Sequence, residues 1–445
     1  MRLSPMRPVF LIYMSKYSLT HSGFGVFQEK RLTKRIVHFT LITLDLYLAV
    51  TTLLCFYFLA LALRNRKTLR MFTYAPDLRR TPRVSIIIPA RNEENNIRAC
   101  LDSLIAQEYP DYEILVIDDN SSDATYKIIK QYESSHSIIR AFRGKPLPPD
   151  WVGKQYACQQ LIPEASGEYL VFTDADTVHT PLSLSWAVTN MVNHDADFMS
   201  AYLHHVIGSL GEAFVVPAIY IMTTLLMPLW KIPEKNNSFF TFAIGQFMIC
   251  RREALLAVGG YNSFKNSVVE DMSMAHAMKE RGYKTIFIDG KNYVSCRMYR
   301  SFRGAFRGFA KSMYGALHQN LLLLLGLFII VGAVIEMPVL ILCHKLYSGS
   351  DDILLSILPV STFCGLWFIV LLDRKISVIV ALSYPILFLV VMLIALTSTL
   401  KTGFLQGVEW KGRKVRCHRG LEEQKKETLQ EPRRINGKNI YPITT

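Results

Sequence analysis

Cysteine is scarce and scattered. Eight residues, at 55, 100, 158, 250, 296, 343, 364 and 417, form no Cys-x-x-Cys pair and have no histidine cluster beside them. That argues against a zinc site of ordinary ligand spacing and against a disulfide scaffold. Free thiols suit a domain that faces the cytosol. A small-residue cleavage site is also missing around the first apolar run, which starts too late for a simple signal peptide. No basic face interleaved with aromatic residues occurs in the polar part of the chain. Nucleic acid is therefore not an expected partner, despite a formal net charge of +14.

Long hydrophobic runs are present. Half of the 445 residues are apolar, and they are concentrated in residues 39–63, 321–342, 353–372 and 377–400. Each run has about the 20 residues that a bilayer-spanning helix needs. Any one could be a buried soluble helix; four together predict an integral membrane protein, multi-pass in the cell membrane. Residues 39–63 read as an uncleaved anchor, 1–38 as a loose basic lead, 321–400 as C-terminal transmembrane segments and 401–445 as a basic tail. Basic residues crowd the borders, among them Lys30, Arg31, Lys34 and Arg35, Arg64, Arg66, Lys67 and Arg70, and Lys411, Arg413, Lys414, Arg416 and Arg419. That placement fits anionic headgroups. The first span has four basic residues on each side, so the positive-inside rule gives no orientation. Three full spans after the polar region would put the basic tail opposite it, which the rule disfavours. Either one run is re-entrant, with 321–342 the suspect because of Glu336 and Pro338, or the tail is an exception.

Between the apolar runs, strand-like and helix-like patterns alternate. Val84-Ser85-Ile86-Ile87-Ile88-Pro89 reads as a strand and Ile97, Cys100, Leu101 and Leu104 as a helix face. A second strand over 112–117, a helix with Tyr126, Ile129 and Tyr132, and a third strand from Ile138 follow. Near-continuous apolar strands alternating with helices predict an α/β domain whose mostly parallel sheet is covered on both faces. Ligands of such sheets bind at the carboxyl ends of the strands.

Those ends are acidic. Tyr169-Leu170-Val171 leads into Phe172-Thr173-Asp174-Ala175-Asp176, whose two carboxylates, one residue apart, share a side of an extended chain. Such a pair makes a hard, all-oxygen site for Mg²⁺ or Mn²⁺, although an exposed acidic turn has the same sequence. Asp118 and Asp119 end the second strand and could merely cap the helix that follows, with Ser121 and Asp123. Trp151-Val152-Gly153-Lys154, in a proline-rich loop, offers a cation to a phosphate, or a solvated lysine. Residues 208–232 are apolar except for Glu212, Lys231 and a few small polar residues, with prolines at 217 and 228. Their place between polar elements suggests a helix lying on the membrane surface.

Residues 83–176 closely resemble the donor-binding half of family 2 glycosyltransferases, inverting GT-A enzymes that use nucleotide sugars. Gly245-Gln246-Phe247-Met248, Arg251-Arg252-Glu253-Ala254, Val258-Gly259-Gly260-Tyr261 and Val269-Glu270-Asp271-Met272 are similar to that family as well. Gly144 to Pro149 followed by Trp151 to Lys154, Arg297 to Phe302 followed by Gly308-Phe309, and Trp410-Lys411-Gly412-Arg413 resemble its membrane-bound carotenoid- and hopanoid-associated subgroup. The resemblance is strong over 83–320, looser over the membrane runs and absent over 1–38.

It implies a Rossmann-like GT-A domain over 83–318. In it Ala90, Glu93 and Asp119 would hold the nucleoside, and Lys154 would meet the diphosphate. Gln246 would join the substrate site. Asp174 and Asp176 would meet the metal and the sugar-phosphate, and Asp271 would be the catalytic base. Arg300, Arg303 and Arg307, at helical spacing, would share one face and either clamp a pyrophosphate or anchor to headgroups. A Gln-x-x-Arg-Trp motif, carried by the family's processive polymer synthases, is missing. A single transfer is therefore expected. The resemblance implies transfer of one hexose, from UDP-glucose as the expected donor, to a lipid-soluble acceptor such as a carotenoid or other isoprenoid at the cytoplasmic face. A polyprenyl-phosphate or glycerolipid acceptor is the alternative among enzymes. A scaffold with a degenerate domain is disfavoured by the intact Asp174, Asp176 and Asp271.

Overall fold

The computed structural model describes residues 23–401, apart from 222–223, 226, 236, 268, 318–319 and 373–375, together with short stretches at 408–410, 413–415, 433–435 and 438–440. Most of the expected basic tail, and residues 1–22 of the expected lead, lie outside the described residues.

The chain enters through one long helix, α1 (Gly23–Phe72). It overruns the expected 39–63 anchor at both ends, so residues 23–38 are helical and not a loose lead. At its far end it is held by side chains that a hydropathy run does not see. The Arg64 guanidinium lies 3.7 Å over the Trp230 ring. Asn65 Nδ2 donates to the carbonyls of Thr224 and Met227, at 3.2 and 2.8 Å, and its Oδ1 accepts from Leu229 N at 2.9 Å.

The polar region then builds a sheet. Its strands are β1 (Val84–Ala90), β2 (Tyr112–Asp118), β3 (Ile139–Arg143), β4 (Tyr169–Thr173), β6 (Phe198–Tyr202), β8 (Phe247–Arg251) and β9 (Thr285–Asp289), in the order β3-β2-β1-β4-β8-β6-β9. Pairing is parallel except where β8 lies antiparallel between β4 and β6. This is the expected GT-A architecture. Pro89 is tolerated in the central strand because β1 pairs with β4 only as far as Ile87, so no partner there needs its missing N–H. Helices α2 (Ile97–Ile105), α3 (Thr125–Ser135), α4 (Gly153–Leu161) and α5 (Ser183–Asn193) cover the faces. In α2 the buried set Ile97, Cys100, Leu101 and Leu104 is the i, i+3, i+4, i+7 stripe that a helix on a sheet requires. A second, three-stranded sheet joins β5 (Thr177–His179), β10 (Val294–Cys296) and β7 (His204–His205).

Residues 208–232 are not one surface helix. They fold as α6 (Leu210–Ala213), α7 (Ala218–Ile221) and a 3₁₀ turn over Leu229–Lys231, with breaks near Pro217 and Pro228. Val215, Tyr220, Leu225, Leu229 and Ile232 are buried in a core shared with α1 and the C-terminal helices, whereas Leu210 is exposed. Glu212, fully buried, is paired with Arg297 at 3.1 Å.

After α8 (Arg252–Ala257) and α9 (Glu270–Glu280), α10 (Phe302–Ala316) leads to α11 (Leu321–Ser348), α12 (Leu354–Leu372), α13 (Val378–Leu382) and α14 (Tyr384–Thr399). Among the described residues, three helices are long and apolar enough to cross a membrane: His38–Phe72, Leu321–Ser348 and Leu354–Leu371. Their outer faces carry exposed Phe39, Leu46, Leu53, Leu322 and Leu354. The run 321–342, suspected of re-entry, is part of a continuous 28-residue helix. The run 377–400 is the broken one, since it splits at Ser383 ahead of Pro385 and leaves α14 with 16 residues. Sixteen residues span about 24 Å, short of the roughly 30 Å hydrocarbon core. α10 packs along α14, and α1 along α12.

Candidate active site

The loops after β1 and β2 are tied together. Asp119 N donates to Ala90 O at 2.7 Å, and Arg91 Nη1 donates to the carbonyls of Asp119 and Asn120, at 2.6 and 2.9 Å. Glu93 N donates to Thr125 Oγ1 at 2.8 Å. Asn92 and Asn120 accept the left-handed backbone, at φ 53° and 55°, that these tight turns require. Ala90, Glu93 and Asp119 thus meet at one edge, as expected. Asp118 does not cap α3, whose N-cap is Ala124; it accepts from Ser121 N at 3.3 Å within the loop.

α4 projects Lys154 across the strand ends. Its Nζ lies 2.8 Å from Asp174 Oδ1 and 2.8 Å from Glu270 Oε1. Asp271 stands at the N-terminus of α9, where Gly245 N donates to its Oδ2 at 2.8 Å and its own Oδ1 accepts from Met272 N at 2.8 Å. A side chain at position 245 would crowd all three groups, because a Cβ there would lie 3.3 Å from each of Asp271 Oδ2, Glu270 Oε1 and Lys154 Nζ. The neighbouring acids are pushed in opposite directions. Burial, then the charge of Glu270, raises Asp271 to about 7. Burial would also raise Glu270, but the charge and hydrogen bond of Lys154 outweigh it and hold Glu270 below its ordinary value. Lys154 in turn stays firmly protonated, its burial overcome by Asp174 and Glu270.

Asp176 stands just before β5. The Cys296 thiol donates to its Oδ1 at 3.5 Å. Tyr299 packs nearby, its hydroxyl raised by burial and then by the charges of Asp176, Cys296 and Asp174. A Cβ on Gly308 would collide with the Tyr299 ring and hydroxyl, so a larger residue there would have to displace the tyrosine. Gln246 is buried; its Oε1 lies 3.0 Å from His205 Nε2 and its Nε2 donates to Cys296 Sγ at 3.3 Å. It therefore supports the site from beneath.

The arginines do not form the expected single face. Arg300 precedes the helix, because Ser301 caps it by accepting from Gly304 N, and Arg300 Nη2 donates instead to Asn96 Oδ1 at 2.9 Å. Arg303 and Arg307 do share a face of α10 and are exposed. Sequence reasoning missed the Lys154–Glu270 pair, Cys296, His205 and Tyr299. Only the Arg297 to Phe302 motif pointed towards that corner.

The donor set is compatible with a hard divalent cation. Asp174 pairs with Lys154 and Asp176 accepts from Cys296, and both carry charge close enough to raise Cys296 and Tyr299. No group of three or more His, Cys, Asp or Glu side chains able to hold a metal occurs among the described residues. Mg²⁺ and Mn²⁺ are satisfied by one or two carboxylates when substrate phosphates complete the shell.

Acids from three strand ends, Lys154, and Asp271 with its raised affinity for protons gather at the carboxyl edge of a GT-A sheet. Residues 85–258 match the family described as Glycosyl transferase family 2. The chain carries a domain of that family and is a glycosyltransferase. It is 25% identical over 346 residues to the 4,4'-diaponeurosporenoate glycosyltransferase of Staphylococcus aureus (strain USA300), covering 74% of this chain and 87% of that protein. The protein of that name from S. aureus (strain MRSA252) is 26% identical over 341 residues, with the same coverage of 74% and 87%. Among solved structures, a mannosyltransferase from Pyrobaculum calidifontis in complex with GDP-Man and Mn²⁺ aligns with TM-score 0.49 and 16% identity, over 82% of this chain and 99% of that one.

Proposed function

We propose that the protein transfers one hexose from a nucleotide sugar, UDP-glucose, with inversion, to a lipid-soluble acceptor such as a carotenoid or other isoprenoid. The observation that carries this reading is the position of the base. Asp271 is bonded to Gly245, and the residues flanking that bond, Ile244 and Met272, pack in the apolar core shared with α1 and the C-terminal helices. The base thus stands between the donor strand ends and the membrane bundle. The S. aureus relatives, named 4,4'-diaponeurosporenoate glycosyltransferase, support an acceptor of that kind.

In this reading Asp271, raised to about 7, takes the proton from an acceptor hydroxyl as it attacks the anomeric carbon opposite the departing diphosphate. A carboxylic acid acceptor arrives ionised, and Asp271 then mainly positions it. Mg²⁺ or Mn²⁺, held by Asp174 and Asp176, would neutralise charge growing on the leaving group. Lys154 adds a fixed positive charge beside that site, and Ala90, Glu93 and Asp119 hold the nucleoside.

Arg303 and Arg307 have no hydrogen-bond or ion-pair partner among the described residues and suit the anionic end of an acceptor. They would accept a polyprenyl phosphate as well as a carboxylate. The free thiols at 55, 100, 158, 250, 296, 343 and 364 fit a cytoplasmic catalytic domain. If α13 and α14 do not span, α11 and α12 return the basic tail to the side of that domain, which the positive-inside rule favours. Mass spectrometry of lipids from cells with and without the protein tests the reading. It should find one hexosyl lipid that depends on the protein, and an unchanged lipid profile would refute it.

A further inference from the structure

The small sheet aligns residues whose side chains form a continuous line. Cys296 is opposite Thr177 on one side and opposite His205 on the other. That register places Asp176, one residue before β5, beside the Cys296 thiol. Four hydrogen bonds run in one direction. With His205 as the Nε2–H tautomer, Tyr220 Oη donates to His205 Nδ1 at 3.3 Å, and His205 Nε2 donates to Gln246 Oε1 at 3.0 Å. Gln246 Nε2 donates to Cys296 Sγ at 3.3 Å, and the thiol donates to Asp176 Oδ1 at 3.5 Å. Tyr220, His205, Gln246 and Cys296 are all at most 5% exposed. Donors aligned head to tail in a dry interior polarise one another, and the line ends on a carboxylate, the acceptor that gains most from it.

The two ends differ in kind. Asp176 belongs to the donor site, whereas Tyr220 lies in α7, within the apolar segment buried among the membrane helices. A second tie follows the same route, since Arg297, next to Cys296, pairs with the buried Glu212 of α6. The apolar segment and the donor carboxylate are therefore connected by polar contacts, of which those among Tyr220, His205, Gln246 and Cys296 join buried side chains while Arg297 is partly exposed.

We propose that Cys296 is a positioning residue for Asp176, and that the Tyr220–His205–Gln246–Cys296 line makes the donor site's grip on metal and diphosphate depend on the apolar segment 210–232 that packs against the long apolar helices. This rests on the reading of Asp176 as a metal and donor ligand. The thiol holds the carboxylate in one orientation, and the line behind it fixes the thiol. Loss of a group that orients a metal ligand typically costs about 10–100-fold in metal affinity or activity.

The test uses the full-length protein in vesicles. Mn²⁺ is titrated in the presence of UDP and followed by loss of the free-ion electron paramagnetic resonance signal, alongside kcat and the metal dependence of transfer. Asp176→Asn should weaken Mn²⁺–UDP binding; if it does not, the donor-site reading itself fails. Cys296→Ala should weaken binding at least about tenfold, with kcat at saturating metal nearly retained. Cys296→Ser, which keeps a donor, should bind within about threefold of the parent, about 0.7 kcal/mol or less. Tyr220→Phe, which removes only the far hydroxyl, should shift binding in the same direction by a smaller factor. Equal losses in Cys296→Ala and Cys296→Ser would show a packing role only. Unchanged binding in Cys296→Ala, or in Tyr220→Phe, with Asp176→Asn impaired, would overturn the proposal while leaving the donor site standing.

Discussion

Lys154 Nζ lies 2.8 Å from Glu270 Oε1, and this one pairing separates the roles of two adjacent acids. Glu270 is held ionised by the lysine, and its charge, after burial, helps to raise Asp271 to about 7. Neighbouring carboxylates with opposite shifts are how a single site obtains a fixed anion and a proton acceptor together.

Asp271→Asn removes the base and leaves the donor pocket. Turnover should fall roughly 10²–10⁴-fold, the usual range for general base catalysis, while UDP affinity stays nearly unchanged. Steady-state rates and calorimetric UDP binding check this. A lost UDP affinity with intact turnover of bound donor would put Asp271 in the donor site instead.

The pH profile follows from the same group. Asp271 works only when ionised, and its affinity for protons is raised, so transfer to a hydroxyl acceptor should rise with pH through about 7. With a carboxylic acid acceptor the dependence should be flatter. Glu270 is the larger charge acting on Asp271, so Glu270→Gln should move the limb to lower pH. A limb fixed near pH 4 would assign the base elsewhere.

Much of this site could be read from the chain. Strand ends announce themselves because an apolar run stops abruptly at Asp118-Asp119 or Asp174-Ala175-Asp176. The alternation between them gave the parallel sheet. The antiparallel β8 was not legible, since its inward run, Phe247–Arg251, looks like any other buried strand. Nor was the Lys154–Glu270 contact, which depends on how α4 and α9 approach across the sheet. Residues 208–232 misled because hydropathy records that side chains are apolar and not whether lipid or protein covers them. The Arg300 reading failed on a local signal that was present, Ser301 capping Gly304 N, which starts the helix after the arginine.

Removing a carboxylate from the metal pair should abolish transfer without unfolding the chain. Asp176→Asn, or excess EDTA with the parent protein, should leave activity near background, because a hard cation loses a charged ligand. Full activity in either arm excludes the metal role.

Arg303 and Arg307 offer positive charge on the exposed face of α10, whose other side packs on α14. The pair Arg303→Glu and Arg307→Glu together should raise KM for an anionic lipid acceptor at least about tenfold, or about 1.4 kcal/mol, and change KM for the donor little. A rise in donor KM alone would identify these residues as a diphosphate clamp.

Asn65→Ala should loosen the segment that α1 holds. Three hydrogen bonds to residues 224–229 are lost, at roughly 0.5–1.5 kcal/mol each. Thermal inactivation in detergent should occur at lower temperature, and limited proteolysis should cut first near residues 222–236. Unchanged stability would mean that the segment is held by its apolar contacts alone.

The central claim is a single inverting transfer to lipid, and it is tested most directly by the anomeric configuration of the product. Purified full-length protein in vesicles is given UDP-α-glucose, Mg²⁺ or Mn²⁺ and an isoprenoid acid, and the lipid extract is examined by mass spectrometry and proton nuclear magnetic resonance. The account predicts one hexose per acceptor, β-linked, with no product from Asp271→Asn. An α-linked product, a polymer, or hexose found only in water-soluble material would contradict it.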